Sequence, residues 1–252
     1  TDNLSKRELK RYKQELKKEA LEKRELKKQS WQAYKAHHIV FLGDGIFWSD
    51  DTSEDKWDLD SASSRLLENQ LPQITQVKQL CEALELTVSE LRWFCYQRNA
   101  STHSHYTRFE IPKRNGTARE IWAPRPKLKK AQRWVNREIA SRLLVHGSAH
   151  GFLAGRSIAS NAAPHIDSQV VVKLDIEDFF PSITFVRVLG LFKALGFSDA
   201  ASFILARLTT FGDRLAQGAP TSPAISNLIM RGVDLRLKRL ATTWELKYLR
   251  YS

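Results

Sequence analysis

Cysteine is scarce in this chain, and long apolar runs are missing. Cys81 and Cys95 are the only cysteines among 252 residues, too few for a disulfide framework, so we expect a reducing compartment, the cytoplasm. No run of about 18 apolar residues is long enough to span a bilayer, and no signal-peptide pattern is visible. The spacings of the cysteines and histidines fit no usual zinc-ligand pattern. These absences argue against secreted, membrane-spanning and zinc-binding classes.

Acidic residues are also few relative to basic ones. The chain has 40 Lys and Arg against 28 Asp and Glu, a net charge of +12. Such a surplus predicts a polyanionic partner, because Lys and Arg gain affinity by releasing counterions from phosphates. Residues 1–30 hold 11 basic against 6 acidic residues, and residues 101–165 hold 12 against 3. For 1–30, a solvated helix face is an equally good interpretation.

The second basic window mixes its charges with aromatic residues, namely Tyr106, Phe109, Trp122 and Trp134. This combination suits phosphate contact together with base stacking, so we expect nucleic-acid binding there. A basic amphipathic helix predicted over 127–144 carries the residues that we expect along a template path. These are Lys127, Lys129, Lys130 and Arg133.

The first two predicted regions are a helical extension, 1–60, and a mixed region, 61–165. The extension has a long helix over 4–37, a segment without Gly or Pro, and an acidic connecting loop over 43–60. The mixed region has predicted helices over 66–84, 87–96 and 127–144 and strands over 106–112 and 117–122. Thr87 with Glu90 matches a capping box, and Asn115-Gly116 between the strands is a strong hairpin signal.

The last predicted region, 166–252, completes an α+β pattern. A β-branched run over 170–176 suits a strand buried on both faces. The remaining predicted elements are helices over 185–195, 199–208 and 223–240 and a strand over 244–251. Gly196 is expected to end the first of these helices. Ser222 is a candidate N-cap of the third helix, with Pro223 in or near its first turn.

A strand that leads into a carboxylate is the first segment with chemical content. The apolar run reaches Asp175 and Ile176, and a turn follows at Asp178, Phe179 and Phe180. A carboxylate there can hold Mg²⁺, which binds few protein oxygens and keeps its other positions for substrate phosphates. Many strands end in Asp for solubility or capping, so this segment alone is a weak signal.

Two further segments strengthen the pattern. Gly218, after Gln217, permits close backbone approach, while Pro220 and Pro223 stiffen the turn, which makes a rigid platform for a base pair. A bland turn would explain the prolines but not the whole string. The third segment is the strand-like run 248–252, Tyr-Leu-Arg-Tyr-Ser.

In this order and spacing, the three segments closely resemble the reverse transcriptase family. Asp175 matches the first catalytic aspartate of the palm, and Gln217-Gly218 the segment that packs on the nascent base pair. Residues 248–252 resemble the approach to the Tyr-x-Asp-Asp hairpin, with two aspartates expected after Ser252. Both chain ends look cut. Because the 252 residues would then lack two of the three expected carboxylates, we expect them to be inactive on their own.

The resemblance narrows to the retron enzymes at residues 161–165. Asn161-Ala162-Ala163-Pro164-His165 is similar to their Asn-Ala-x-x-His element, and the segment 91–152 and the N-terminal extension resemble the myxobacterial type. The resemblance implies a right-hand polymerase fold, with fingers over 61–165, an incomplete palm over 166–252 and no thumb. It also implies that Asn161 and His165 recognise a structured RNA. A buried His satisfied by an Asn is the ordinary alternative.

The family's chemistry assigns expected roles to several residues. Two Mg²⁺ ions would be held by Asp175, the Ile176 carbonyl and the two expected aspartates; paired ions activate the attacking hydroxyl and stabilise the leaving group. The incoming dNTP would meet Arg119, with Lys113 a weaker candidate. The other expected dNTP contacts are the backbone N–H groups of Asp178 and Phe179, the sugar gate Phe180, and Gln217 and Gly218. Phe179 and Phe180 are also ordinary core candidates.

The implied function is RNA-templated DNA synthesis on a cognate noncoding RNA. In retrons, synthesis starts from a guanosine 2′-hydroxyl and gives a branched RNA–DNA product, and the resemblance implies antiphage defence alongside an effector protein. Two rivals stay open: another bacterial or intron-encoded reverse transcriptase, and an inactive RNA-binding scaffold with the same fold.

Overall fold

The structure, a computed structural model, describes residues 6–37, 59–95, 104–113, 116 and 118–251. Helices dominate this part of the chain, accompanied by two small antiparallel sheets, which confirms the predicted α+β class. None of these helices is long and apolar enough to cross a membrane. The helices are α1 (Lys6–His37), α2 (Leu59–Glu68), α3 (Val77–Leu84), α4 (Val88–Cys95), α5 (Pro126–Glu138), α6 (Ile158–Ala162), α7 (Phe179–Ser182), α8 (Phe185–Ala194), α9 (Asp199–Thr209) and α10 (Ser222–Thr243). The strands are β1 (Tyr106–Pro112), β2 (Ala118–Pro124), β3 (Thr210–Phe211) and β4 (Arg214–Leu215).

The N-terminal region contains the predicted long helix α1, whereas most of the predicted acidic loop lies outside the described residues. The single helix predicted over 66–84 is wrong, because two helices, α2 and α3, share that segment. The chain turns between them, where Gln70 adopts a left-handed φ of 54° and Pro72 lacks an N–H for a helical bond. Thus backbone conformation outweighed the apolar periodicity of the segment.

The capping box at the start of α4 is present. The Glu90 amide donates to Thr87 Oγ1 at 3.2 Å, and the Thr87 amide donates to Glu90 Oε2 at 2.9 Å. This reciprocal pair satisfies two backbone N–H groups that the first helical turn leaves without partners.

The predicted hairpin is also present as β1 and β2. Its register pairs Tyr106 with Pro124 and Pro112 with Ala118. Residues 114, 115 and 117 of the connection lie outside the described residues. The next helix, α5, ends at Glu138, six residues before the predicted end, and a short 3₁₀ turn follows.

The core is built around α9, which α3, α4, α5 and α8 all approach. Every residue of α9 from Ala201 to Thr209 is buried. The helices predicted over 185–195 and 199–208 are confirmed, and Gly196 follows the first with a φ of 103°. The β3–β4 hairpin was not predicted, because two-residue strands are too short to show a period.

The buried strand predicted over 170–176 is wrong. The segment forms no strand, and the side chains of Val170, Val172 and Leu174 are 78%, 77% and 88% exposed. A strand needs neighbouring backbone to satisfy its N–H and C=O groups, and none of the described strands lies beside this segment. The apolar, β-branched composition of this segment was therefore not sufficient to make it a strand.

Helix α10 and the segment after it differ from the sequence prediction at both ends. Thr221, not Ser222, is the N-cap residue, and the Ser222 hydroxyl donates to the Ala216 carbonyl at 2.7 Å. The strand predicted over 244–251 is wrong. Only an isolated parallel bridge between Ala149 and Arg250 forms in this described segment.

Candidate active site

The Gln217-Gly218 segment lies directly against strand β2. The Trp122 amide donates to the Gln217 carbonyl at 2.7 Å. Gly218 has a φ of +117°, and a Cβ atom there would lie 2.7 Å from Ile121 Cγ2 and 3.0 Å from the Trp122 carbonyl oxygen. Since only glycine tolerates both the conformation and the proximity, this residue is required for the close approach of the two segments.

Arg119 lies two residues before Ile121 on β2. Side chains two residues apart share one face of a strand, so Arg119 lies on the face that contacts Gly218. Its side chain is exposed and has no ion-pair partner among the described residues. Lys113, just after β1, is exposed as well. By contrast, Arg108 lies on the opposite face and forms ion pairs with Glu110 and Glu120.

The turn that follows the predicted metal-binding segment is tied to β4. Asp178 adopts a left-handed conformation, φ 48° and ψ 46°, and its carbonyl accepts the Ser182 amide at 2.8 Å. The Leu215 amide donates to the Ile183 carbonyl at 3.0 Å. Because Leu215 precedes Gln217 by two residues, the structure brings the two sequence-distant motifs together beside the hairpin.

Phe179 and Phe180 lie at the start of α7 and are both half-buried. Their ring centroids are 5.5 Å apart, and the Phe180 ring lies 6.0 Å from that of Phe152. Both residues pack against the core cluster, yet they keep partial exposure. This combination fits a gate as well as a core position.

Asp175 and Ile176 lie in the exposed segment 170–176, which has no regular secondary structure. A carboxylate and a backbone carbonyl are hard oxygen ligands, which suit Mg²⁺. Among the described residues, no group of three or more His, Cys, Asp or Glu side chains is arranged to hold a metal. The donors fit the ion in chemistry but are too few to make an all-protein site.

The four basic residues predicted along a template path lie on two flanks of α5. Lys127 forms an ion pair with Glu90, and Lys130 forms one with Glu85 at 2.6 Å. The hydrogen bond from Lys127 holds the pKa of Glu90 below its ordinary value. Both lysines are exposed, and ion pairs at an exposed surface are weak, so phosphates would compete readily for both lysines.

Lys129 and Arg133 lie on the other flank of α5, one helical turn apart. Neither has an ion-pair partner in the part of the chain that the structure describes. Their charge is therefore available on a single face, the arrangement that contact with a phosphate backbone requires.

Asn161 and His165 lie in α6 and the following 3₁₀ turn, and both are half-buried. No hydrogen bond joins these two described side chains, and Asn161 Oδ1 is buried without a partner. The alternative of a His satisfied by this Asn therefore finds no support.

An ion pair that sequence reasoning missed anchors the segment before Tyr251. Asp234 on α10 is fully buried and accepts from Arg250 Nε and Nη2, both at 2.9 Å, and from the Tyr248 hydroxyl at 2.8 Å. The Arg250 amide donates to the Ser148 carbonyl at 2.8 Å. The partners are 14 and 16 residues apart in the chain, so no helical or strand spacing signalled the contact.

Comparison with known proteins identifies the family. The family model described as reverse transcriptase (RNA-dependent DNA polymerase) matches residues 111–252. The retron Mx162 reverse transcriptase of Myxococcus xanthus is 42% identical over 98% of this chain and 55% of its own length. The retron Mx65 enzyme of the same organism is 39% identical over 72% of this chain and 47% of its own length. The retron Ec86 reverse transcriptase of Escherichia coli is 33% identical over 72% of this chain and 56% of its own.

The chain spans about half the length of the curated relatives it matches. Within that span the match includes the hairpin end of β1, the Asp175 segment, the Gln217-Gly218 segment and the last residues of the chain. The predicted polymerase fold is confirmed at the level of the family. The chain belongs to the reverse transcriptase family, and within that family it is of the retron type.

Proposed function

We propose that the full-length protein is a retron reverse transcriptase that synthesises DNA on an RNA template. The observation that carries this proposal is the meeting of the turn after Asp175, the Gln217-Gly218 segment and the β1–β2 hairpin. The turn after Asp175 is tied through Ile183 to β4, and the Gln217 carbonyl just beyond β4 accepts the Trp122 amide of the hairpin. This proximity of segments that are distant in the sequence supports the proposal.

The proposed metal ligands are Asp175 and the Ile176 carbonyl, completed by two aspartates that we expect after Ser252. Mg²⁺ bound there supplies activation of the attacking hydroxyl and charge neutralisation on the phosphates. The side chain of Asp175 contributes a negatively charged, exposed oxygen pair, and the backbone at Ile176 adds a neutral oxygen.

The proposed nucleotide site lies between the hairpin and α7. Arg119, helped by Lys113, holds the triphosphate, and the backbone N–H groups of Asp178 and Phe179 add further donors. Phe180 closes the space under C2′ of the sugar and so disfavours a ribose hydroxyl. Gln217 and Gly218 support the new base pair, because the absence of a side chain at Gly218 permits close approach of the backbone.

The proposed RNA contacts are Lys127, Lys129, Lys130 and Arg133 on α5 and Asn161 with His165. We propose that a dedicated noncoding RNA is the partner and that synthesis starts from a guanosine 2′-hydroxyl, giving a branched RNA–DNA product. A role in antiphage defence with an effector protein and a cytoplasmic location complete the proposal. The relatives named as retron enzymes support this version over an intron-encoded enzyme.

The experiment compares Asp175→Ala with Asp167→Ala in the full-length protein expressed with its native locus. Asp167 is an exposed aspartate outside the proposed site. We expect Asp175→Ala to abolish DNA synthesis while RNA copurification persists, because metal binding but not RNA binding depends on it. Asp167→Ala should retain both activities.

The nucleic acid that copurifies also separates the rivals. A short DNA whose length changes after RNase and again after debranching supports retron synthesis. Undiminished synthesis by Asp175→Ala would contradict the metal assignment. Structured RNA without DNA in the unmodified protein would favour the inactive scaffold, and unbranched DNA would favour another reverse transcriptase class.

A further inference from the structure

Helix α1 exposes its side chains throughout the part that the structure describes. Every described side chain over 12–26, 28 and 29 is exposed, including Leu16 (46%), Leu21 (63%) and Leu26 (65%). Leucines five residues apart are rotated by roughly 140° about a helix axis, so these three form no continuous apolar stripe. The described side chains over 12–29 therefore provide no apolar face of the kind that a packed helical partner or a lipid interface requires.

The charges of α1, unlike its leucines, are segregated. At about 100° per residue, Lys13, Lys17, Arg24 and Lys28 lie within roughly 60° of one another around the helix; we call them the basic stripe. The glutamates at 15, 19 and 22 lie within a similar arc on the opposite side. The arc of the basic stripe thus carries only cations among its charged residues, whereas the opposite side carries glutamates flanked by Lys18 and Lys23.

The basic stripe places like charges next to each other. Lys13 with Lys17 and Arg24 with Lys28 are i,i+4 pairs, and such like-charge pairs destabilise a helix by about 0.2–0.5 kcal/mol each. None of the four has an ion-pair partner among the described residues. A bound polyanion would remove this repulsion, so the arrangement favours an anionic ligand.

Two neighbouring lysines provide the contrast. Lys18 and Glu22 are four residues apart, as are Glu19 and Lys23, and these spacings place opposite charges beside each other. Lys17 and Arg24, adjacent to them in sequence, have no acidic residue three or four positions away. The same stretch of helix therefore carries both compensated and uncompensated cations.

We propose that the basic stripe of α1 binds the phosphate backbone of a structured RNA. The stripe extends about 22 Å along the helix axis, and Lys6, Lys10 and Lys35 continue its spacing in the sequence. A row of cations along one side of a helix is the electrostatic footprint of a nucleic-acid-binding surface. This RNA contact lies outside the family match at 111–252, and it is separate from the polymerase site.

The test compares two double variants of the full-length protein that lose the same charge. Lys17→Gln with Arg24→Gln disrupts the basic stripe, and Lys18→Gln with Lys23→Gln is the matched control. Binding to a fluorescent RNA hairpin is measured over a range of salt concentrations. Each lost phosphate contact makes the negative slope of log K against log salt shallower by about 0.7–0.9. The slope for the stripe variant should therefore be shallower by roughly 1.4–1.8.

The control variant should keep the slope of the unmodified protein, and circular dichroism should show unchanged helix content in both. Extension of a short primer on an RNA template should be equal in the two variants, which separates this inference from the polymerase proposal. An equal change of slope in both variants would overturn the proposal, because it would indicate that RNA is attracted by the overall positive charge and not by the basic stripe. Unchanged RNA binding with lost binding to anionic phosphatidylserine vesicles would overturn it in favour of a membrane surface, and no change in either would also overturn it.

Discussion

Asp234 and Arg250 form a buried bidentate ion pair that fixes the segment before Tyr251 to helix α10. Arg250 Nε and Nη2 each lie 2.9 Å from an Asp234 oxygen. The side chain of Asp234 is 0% exposed and that of Arg250 is 7% exposed. The backbone of Arg250 also bonds to Ser148 and His150. Three distant parts of the chain therefore meet at one charge pair.

Asp234→Ala is expected to destabilise the fold strongly. Removing one partner of a buried pair leaves an uncompensated charge and typically costs about 3–5 kcal/mol. The free energy of unfolding in urea measures the effect, and Glu85→Gln, which removes an exposed ion pair with Lys130, is the control with little expected change. Equal stability of the two variants would contradict the structural role of the pair.

Gly218→Ala is expected to lower kcat/KM for DNA synthesis by at least about tenfold. The new methyl would meet Ile121 and the Trp122 carbonyl and would separate the segment from β2. Primer extension by the full-length protein measures the loss. Gly155→Ala is the matched control, because Gly155 also has a positive φ, 73°, but nothing within 4 Å of a new Cβ. Equal losses would mean that backbone strain, not contact with β2, is responsible.

Arg119→Gln is expected to raise the KM for dNTPs by about tenfold or more, since hydrogen bonds to charged groups contribute about 1.5–3 kcal/mol. The matched control is Arg108→Gln on the same hairpin, which removes a cation already paired with Glu110 and Glu120. Steady-state kinetics with varied dNTP concentration separates the two. A similar KM in both variants would place the triphosphate elsewhere.

Phe180→Val is expected to admit ribonucleotides. The smaller side chain opens space under C2′, so the preference for dNTPs over rNTPs should fall by at least about tenfold. Competition between dNTPs and rNTPs in primer extension gives the ratio, and Phe152→Val, which alters the neighbouring ring, is the control. Lower stability with unchanged discrimination would assign Phe180 to the core alone.

The buried cysteines should make the fold sensitive to alkali. Burial raises the pKa of Cys81 to about 11 and that of Cys95 to about 12, against about 8.5 in an unfolded chain. Because the folded pKa is raised, the contribution to stability is complete below about pH 8.5 and is lost as the pH rises through 11 to 12. Urea unfolding across this range measures it.

The control for this prediction is the Cys81→Ala, Cys95→Ala double variant, which should lose less stability between neutral and alkaline pH. The native thiols should also resist iodoacetamide at about pH 8, because the thiolate is the reactive form. Rapid labelling without denaturant would contradict the burial of both side chains.

Local rules predicted much of the fold. The capping box at Thr87 and the Asn115-Gly116 hairpin were predictable because each depends on residues within a few positions of one another. The long helices followed from composition and spacing. The sequence also singled out the segments around Asp175 and Gln217, which the family match covers, while the roles of their individual residues stay predictions.

The prediction failed where backbone or charge needed a distant partner. Residues 170–176 have the composition of a buried strand but have no neighbouring strand among the described residues. In the sequence, Asp234 looks like an ordinary polar position of a helix, because its partner Arg250 lies 16 residues away.

The sequence by itself determined the family, the local elements and the excess of positive charge, because these depend on residue type and short-range spacing. Only the tertiary structure decided that the Gln217 carbonyl accepts the Trp122 amide, and that residue 218 must lack a side chain to allow this contact. Backbone hydrogen bonds and buried ion pairs join residues far apart in the chain, and their energies depend on desolvation that exists only after folding.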